Sequence, residues 1–210
     1  MLFYNDSTTE IKDLSPDMAD ISRHKQQQQY TDQELVTQTL ANKQAFAAIV
    51  RRYEAPLLRY ITRLGCRDTS TAQDLLQEIF IKTYIHLNDY DHSLQFSSWI
   101  YRIAHNEIIS SFRKEKHGPT VLEREADFFL FDKVVDELEL TDQEGQKHTA
   151  LEIQAAVDRL DPKSREIIVL KFFEEKHYDE ISDILQIPEG TVATMISRAK
   201  KKIKSYLEES

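Results

Sequence analysis

The stretch YDEISDILQIPEGTVATMISRAKKKIK, from Tyr178 to Lys204, decides how the chain is read. Tyr178, Ile181, Ile184 and Leu185 recur at helical spacing, so they predict a short amphipathic helix. Gln186, Ile187 and Pro188 predict a turn. Val192, Met195, Ile196, Ala199 and Ile203 then form one apolar stripe on a second helix. Short helix, tight turn and second helix make the helix-turn-helix pattern. With the stripe held inward, Thr191, Thr194, Ser197, Arg198 and Lys201 are presented outward. Hydroxyls and a guanidinium on one face suit a DNA major groove, where Arg grips a guanine edge and hydroxyls bond bases or phosphates. Lys200, Lys202 and Lys204 suit phosphate better than base edges, and the amides near Gly190 and Thr191 add anion-binding capacity. A basic helix end also complements the helix dipole with no ligand at all. The cations therefore gain meaning from the helix and turn that precede them.

The 210 residues carry 27 Lys and Arg against 36 Asp and Glu, a net charge of -9, yet Pro188–Lys204 holds five cations and one carboxylate. The acidity is regional. Residues 1–31 have a net charge of -2 and residues 117–155 a net of -7, leaving 21 cations and 21 carboxylates elsewhere. Distribution, not the total, identifies the surface that meets an anion. Four glycines and five prolines are too few for the turns of an all-β fold. A single cysteine, Cys66, builds neither a disulfide framework nor a cysteine-based zinc site. No apolar run approaches a membrane span, and the N-terminus lacks the pattern of a secretory signal, so the expectation is a cytoplasmic protein without membrane insertion.

Working towards the N-terminus, LDPKSREIIVLKFFE opens the helical block that leads into the motif, and AAVDRL lies just before it. Residues 118–149 are an acidic linker, within which DFFLFDKVVDELEL has amphipathic character. Further back, TAQDLLQEIFIKTYIHL places Ala72, Leu75, Leu76, Ile79, Phe80, Tyr84 and Leu87 on one stripe, with Asp74, Gln77, Glu78 and Lys82 facing away. FSSWIYRIAHNEIISSFRKEK follows a loop and predicts another helix, capped by Ser97 or Ser98 and stopped at His117-Gly118-Pro119. Helical spacing also runs from Asp32 through Val50 and from Leu57 to Leu64, ending at Gly65. Residues 1–31, with four consecutive glutamines, read as a flexible polar tail. The expectation is all-α: two small helical domains, 32–117 and 150–210, joined by the acidic linker, the second a helix-turn-helix.

The C-terminal stretch resembles the second conserved domain of sigma-70 family transcription initiation factors, and the two-domain layout resembles their small extracytoplasmic-function class. The family pattern Pro-x-Gly-Thr-Val is usually followed by Lys or Arg, then Ser, then Arg; Ala193, Thr194 and Met195 stand there, while Arg198 is retained. DLLQEIFIKTY resembles the family's polymerase-binding helix. The resemblance implies that Asp74, Gln77 and Glu78 contact core RNA polymerase. FSSWIYRIAHNEIISSFRK resembles the part that opens DNA and captures the promoter −10 element. Unpaired bases need planar surfaces, polar groups for their edges and cations for the backbone. Tyr90, Phe96, Trp99, Arg102, Asn106 and Arg113 supply these, with Tyr101, His105, Lys114 and Lys116 nearby. Asn106 matches a position that holds a flipped-out base, Tyr90 lies in the loop shaping that pocket, and Phe96 and Trp99 read equally well as core. Thr191, Thr194, Ser197, Arg198 and Lys201 are implied at the −35 element.

The family's usual Asp-Ala-Glu-Asp is here Thr71-Ala72-Gln73-Asp74, and Ser110 replaces a common Asp. Some members with such a deficit regain charge by phosphorylation, which points to Thr71. Implied partners are core RNA polymerase and promoter DNA, with an anti-sigma protein frequent in this class. No cofactor or metal is implied. The competing reading is a stand-alone helix-turn-helix transcriptional regulator, which leaves DLLQEIF and the aromatic segment without a task. An enzyme is not expected, because no phosphate-binding glycine loop or catalytic constellation occurs.

Overall fold

Thr31 and Glu34 start the first helix. The Thr31 side chain accepts from the Glu34 amide and the Glu34 carboxylate accepts from the Thr31 amide, a reciprocal capping box. This computed structural model describes residues 30–66, 68–114 and 148–209. The polar tail through residue 29, the acidic stretch 115–147 with Lys116, and the His117-Gly118-Pro119 stop lie outside the described residues. Among the described residues four α-helices precede the acidic stretch: α1 (Asp32–Ala41), α2 (Phe46–Arg63), α3 (Thr69–Ile85) and α4 (Phe96–Lys114). Four follow it: α5 (Ala150–Asp158), α6 (Pro162–Ile168), α7 (Tyr178–Leu185) and α8 (Glu189–Glu208). The described residues contain no strand.

In the N-terminal half α2 packs on α1 and α3, and α3 packs on α4. The core between them holds Val36, Ile49, Leu57, Ile61, Ala72, Ile79, Ile100 and Ile108, each fully buried. Periodicity dictates these contacts, because each helix must hide one apolar stripe. Pro56 lies inside α2 without ending it; Gly65 closes the helix at φ 116°, a left-handed position that suits glycine. Asp68 caps α3 by accepting from the Thr71 amide at 2.7 Å.

In the C-terminal half α8 lies against α5, α6 and α7. Val192, Ile196, Ala199, Ile203 and Leu207 form its inner stripe, with Met195 partly buried beside it. Thr149 and Glu152 form a second capping box for α5, while Asp161 caps α6 with Pro162 in its first turn. A π-helical turn, Val169–Phe173, continues α6 and buries Val169, Leu170, Phe172 and Phe173. The turn between α7 and α8 passes through Gln186 at φ 54°, and Ser182 Oγ donates to the Ile187 carbonyl at 2.6 Å across it.

The two halves touch. α7 runs against α4, and the π-helical turn rests on α2. Three carboxylates of the C-terminal half are consumed in this contact. Tyr60 Oη and His105 Nδ1 both meet Glu166 Oε1 at 2.6 Å. Arg63 donates to Glu174 Oε1 at 3.0 Å and Tyr101 Oη to Glu174 Oε2 at 2.6 Å. Ser97 Oγ donates to Glu180 Oε1 at 2.9 Å. The three side chains are only 7, 3 and 8% exposed, so every one is a desolvated carboxylate stabilised by charge-assisted hydrogen bonds.

Candidate functional site

The outer face of α8 carries the DNA-reading candidates. Thr191, Thr194, Ser197, Arg198 and Lys201 are all exposed, opposite the buried stripe. Thr194 Oγ1 donates to the Gly190 carbonyl at 2.8 Å, which fixes its rotamer and turns its lone pairs outward. The amide of Thr191 already donates to the Pro188 carbonyl at 2.8 Å, so it adds no anion-binding capacity of its own. Lys202 is also engaged, at 2.8 Å from Asp161. A hollow of about 500 Å³ flanks the helix, with Lys171, Lys200 and Lys201 around it and Phe172, Ile196 and Ala193 among its apolar lining. A Cβ built on Gly190 meets nothing within 4 Å, so the packing of this chain does not require glycine there.

On α3, Asp74, Gln77 and Glu78 are exposed and share one face, where Asp74 and Glu78 make no ion pair among the described residues. Lys82 departs from the expected outer face: it is partly buried and pairs with Glu107 of α4 at 2.6 Å. Tyr84 sits at the edge of the apolar stripe, 37% exposed, with its ring 5.1 Å from Phe46. Thr71 Oγ1 donates to Asp68 Oδ2 at 2.7 Å, the same oxygen that caps its amide. These two bonds hold the Asp68 carboxyl below its ordinary range.

The aromatic segment divides into three groups. Tyr90, Phe96 and Trp99 are 4, 2 and 6% exposed and pack on one another with ring centroids 5.3 to 5.6 Å apart. Tyr53 joins them edge-on through Phe96. These three rings are packed as core, where burying an aromatic ring is worth more than leaving it exposed. Tyr90 keeps its hydroxyl satisfied by donating to the Leu94 carbonyl at 2.5 Å. Tyr101 and His105 form the second group and face the C-terminal half. Burial first, then the Glu174 carboxylate, push the Tyr101 hydroxyl far above its usual range, so it stays a donor. Arg102, Asn106 and Arg113 are the third group: Arg102 is half-buried and the other two are exposed, on a face that the C-terminal half leaves open.

The expected cap of α4 is corrected. Neither Ser97 nor Ser98 caps α4, which starts at Phe96; Ser97 instead reaches Glu180, and Ser98 is buried. The interdomain carboxylates escaped sequence reasoning altogether. Burial pushes the Glu180 carboxyl up, but the His177 amide, Lys176 and Ser97 outweigh it and the net shift is downward. Lys176 also lies over the Tyr101 ring at 4.6 Å. No cluster of described residues could hold a metal ion, and no described helix is long and apolar enough to cross a membrane.

Comparison with known proteins adds several similarities. A family model described as Sigma-70 region 2 matches residues 49–118, and one described as Sigma-70, region 4, matches residues 150–203. The chain is 33% identical over 181 residues to the ECF RNA polymerase sigma factor SigW of Bacillus subtilis (strain 168), covering 80% of this chain and 91% of that one. It is 31% identical over 189 residues to the RNA polymerase sigma-H factor of Pseudomonas aeruginosa, covering 86% and 95%. Among solved structures, CnrH in complex with the cytosolic domain of CnrY shares the fold at a TM-score of 0.62 and 23% identity, covering 85% of this chain and 98% of that one.

Proposed function

The chain belongs to the sigma-70 family of RNA polymerase sigma factors, in its extracytoplasmic-function class, and from that premise we propose how its two halves share the start of transcription. It is an alternative sigma factor that directs transcription initiation; a stand-alone regulator is not favoured, since it would leave the N-terminal match unexplained. The domains run from 32 to 117 and from 150 to 210. In the first, Asp74, Gln77 and Glu78 dock on core RNA polymerase. Arg102, Asn106 and Arg113 meet the −10 element, with Tyr90, Phe96 and Trp99 supporting that face from beneath. In the second, Thr191, Thr194, Ser197, Arg198 and Lys201 read the −35 element.

The outward presentation of two different residue sets carries this reading: carboxylates and an amide on α3, hydroxyls and cations on α8. The first face suits a protein and the second suits a duplex. Weak DNA affinity in each half suffices once polymerase fixes both on one surface, because the second contact is then intramolecular. The site of action is the cytoplasm, and an anti-sigma protein is a further partner; the related fold of sigma factor RpoE from Bartonella quintana was solved with the anti-sigma factor NepR (TM-score 0.57, 20% identity).

Thr71 is a phosphorylation site that restores charge at the start of the polymerase-binding helix. A phosphate there gains from the helix dipole but must displace the Asp68 cap, so the modification rearranges this turn. Thr71→Ala leaves the Asp68–amide bond in place and keeps the fold. If unphosphorylated Thr71→Ala protein is fully active, Thr71 has no such role.

The test of function is transcription of fragmented genomic DNA by core polymerase with and without this protein, with RNA 5′ ends mapped. New starts that share paired upstream elements are expected. Tight, specific DNA binding by the protein alone, with no new starts from either the parent or Thr71→Glu, would overturn the sigma reading in favour of the stand-alone regulator.

A further inference from the structure

The polymerase-docking stripe does not stop at Glu78. Continuing along α3 in steps of three and four, the next outward positions are Ile81 and Ile85, which are 52 and 61% exposed. Tyr84 lies beside them. Helical geometry puts residues 74, 77, 78, 81 and 85 on one face, so a polar half and an apolar half make one strip about three turns long. Single exposed hydrophobes are ordinary, but three large ones within five residues on one helix face are not.

We propose that Ile81 and Ile85, flanked by Tyr84, form the apolar anchor of the core-polymerase contact, continuous with Asp74, Gln77 and Glu78. This rests on the assignment of those three residues to polymerase. Specific interfaces combine a desolvated apolar centre with a polar rim, and most of their affinity comes from the few residues that are fully desolvated. The α3 strip has both components. Its carboxylates call for donors or cations on the partner, and its isoleucines call for an adjoining apolar hollow. Among the described residues, the core-facing side of α3 is filled by Leu75, Leu76, Ile79, Phe80 and Thr83, so the core has no use for the two isoleucines. Lys82, between the two faces, is drawn sideways to Glu107, which leaves the strip clear of its long side chain.

The contact predicts two components with different salt responses. Carboxylate contacts weaken as salt screens them, whereas apolar burial does not. The experiment measures binding of the full chain to core polymerase at low and high salt. Parent protein is compared with Glu78→Ala, with an Ile81→Ser/Ile85→Ser double variant, and with an Ile81→Leu/Ile85→Leu double variant. The serine variant should lose about ten-fold or more in affinity at both salt concentrations while its melting temperature stays close to the parent's, since both side chains already face solvent. The leucine variant should bind like the parent, and the Glu78→Ala loss should shrink as salt rises.

If the parent binds and the serine variant binds within about two-fold of it, the anchor is wrong and the docking assignment survives. The anchor is equally wrong if the serine variant abolishes self-association of the chain without changing its polymerase affinity, which would give this face to a second copy. A parent that does not bind core polymerase overturns the docking assignment and the anchor together.

Discussion

Tyr101 of α4 donates its hydroxyl to Glu174 across the domain boundary at 2.6 Å, and Arg63 holds the other oxygen of that carboxylate. Removing the hydroxyl leaves a buried carboxylate short of one partner. A hydrogen bond to a charged group contributes about 1.5–3 kcal/mol. Tyr101→Phe is therefore expected to loosen the contact between the halves by roughly that amount, without unfolding either. Amide hydrogen exchange along α4 and α7 reads this directly; unchanged protection there would show that the bond contributes nothing.

Arg198 is the one guanidinium among the outward candidates of α8, and Lys204 is an exposed ammonium further along the helix. Arg198→Ala should cost about 1–3 kcal/mol at one base pair of the −35 element and relax discrimination there. Lys204→Ala should weaken every sequence alike and lower the salt slope by about one. Binding of promoter duplexes substituted base by base, across a salt series, separates the two behaviours.

Gln186 holds a left-handed backbone at φ 54° in the turn before α8. That conformation costs an ordinary residue about 1–2 kcal/mol but costs glycine little. Gln186→Gly also loses its side-chain bond to the Asp183 carbonyl and gains unfolded-state freedom. A net rise in stability of about 0.5 kcal/mol is expected from these opposing terms. A fall in the thermal midpoint would mean that the side-chain bond outweighs the strain.

Asp161 caps α6 and pairs with Lys202. The Lys202 bond holds its carboxyl well below the usual range, burial opposes this, and Ser164 adds to the lowering. A carboxyl with a depressed folded pKa stabilises the protein above its unfolded pKa, and that contribution fades as pH falls. Asp161→Ala should therefore cost about 1 kcal/mol near neutral pH, mostly the lost cap because the pair is half exposed. The gap from the parent should close progressively below about pH 4 in denaturant titrations. A gap that is constant with pH would place the whole effect on helix propensity.

The helices were legible because their apolar positions repeat. α3 and α8 show their buried faces in the sequence, and Asp161-Pro162 announces the start of α6. Periodicity could not separate Tyr90, Phe96 and Trp99 from stacking surfaces, because an aromatic residue satisfies either reading until its neighbours are known. It placed Tyr84 in the stripe because the position lies one step beyond Phe80, where the helix has already turned towards solvent. The interdomain contact was not legible at all. Glu166, Glu174 and Glu180 look like any surface carboxylates, and their partners lie 61 to 111 residues away in the chain. Only the packing of α7 on α4 and of the π-helical turn on α2 brings them together.

That packing also fixes a length. The −10 and −35 positions are about 25 base pairs apart, which is roughly 85 Å of duplex at about 3.4 Å per base pair. α4 touches α7 and α7 touches α8, so the two halves are packed as neighbours in one block. On the proposed assignment of Asn106 and Arg198 to the two elements, this arrangement is a folded ruler. Reaching both elements along such a length would then require Glu166, Glu174 and Glu180 to release the Tyr60, Arg63, Ser97, Tyr101 and His105 side chains that hold them.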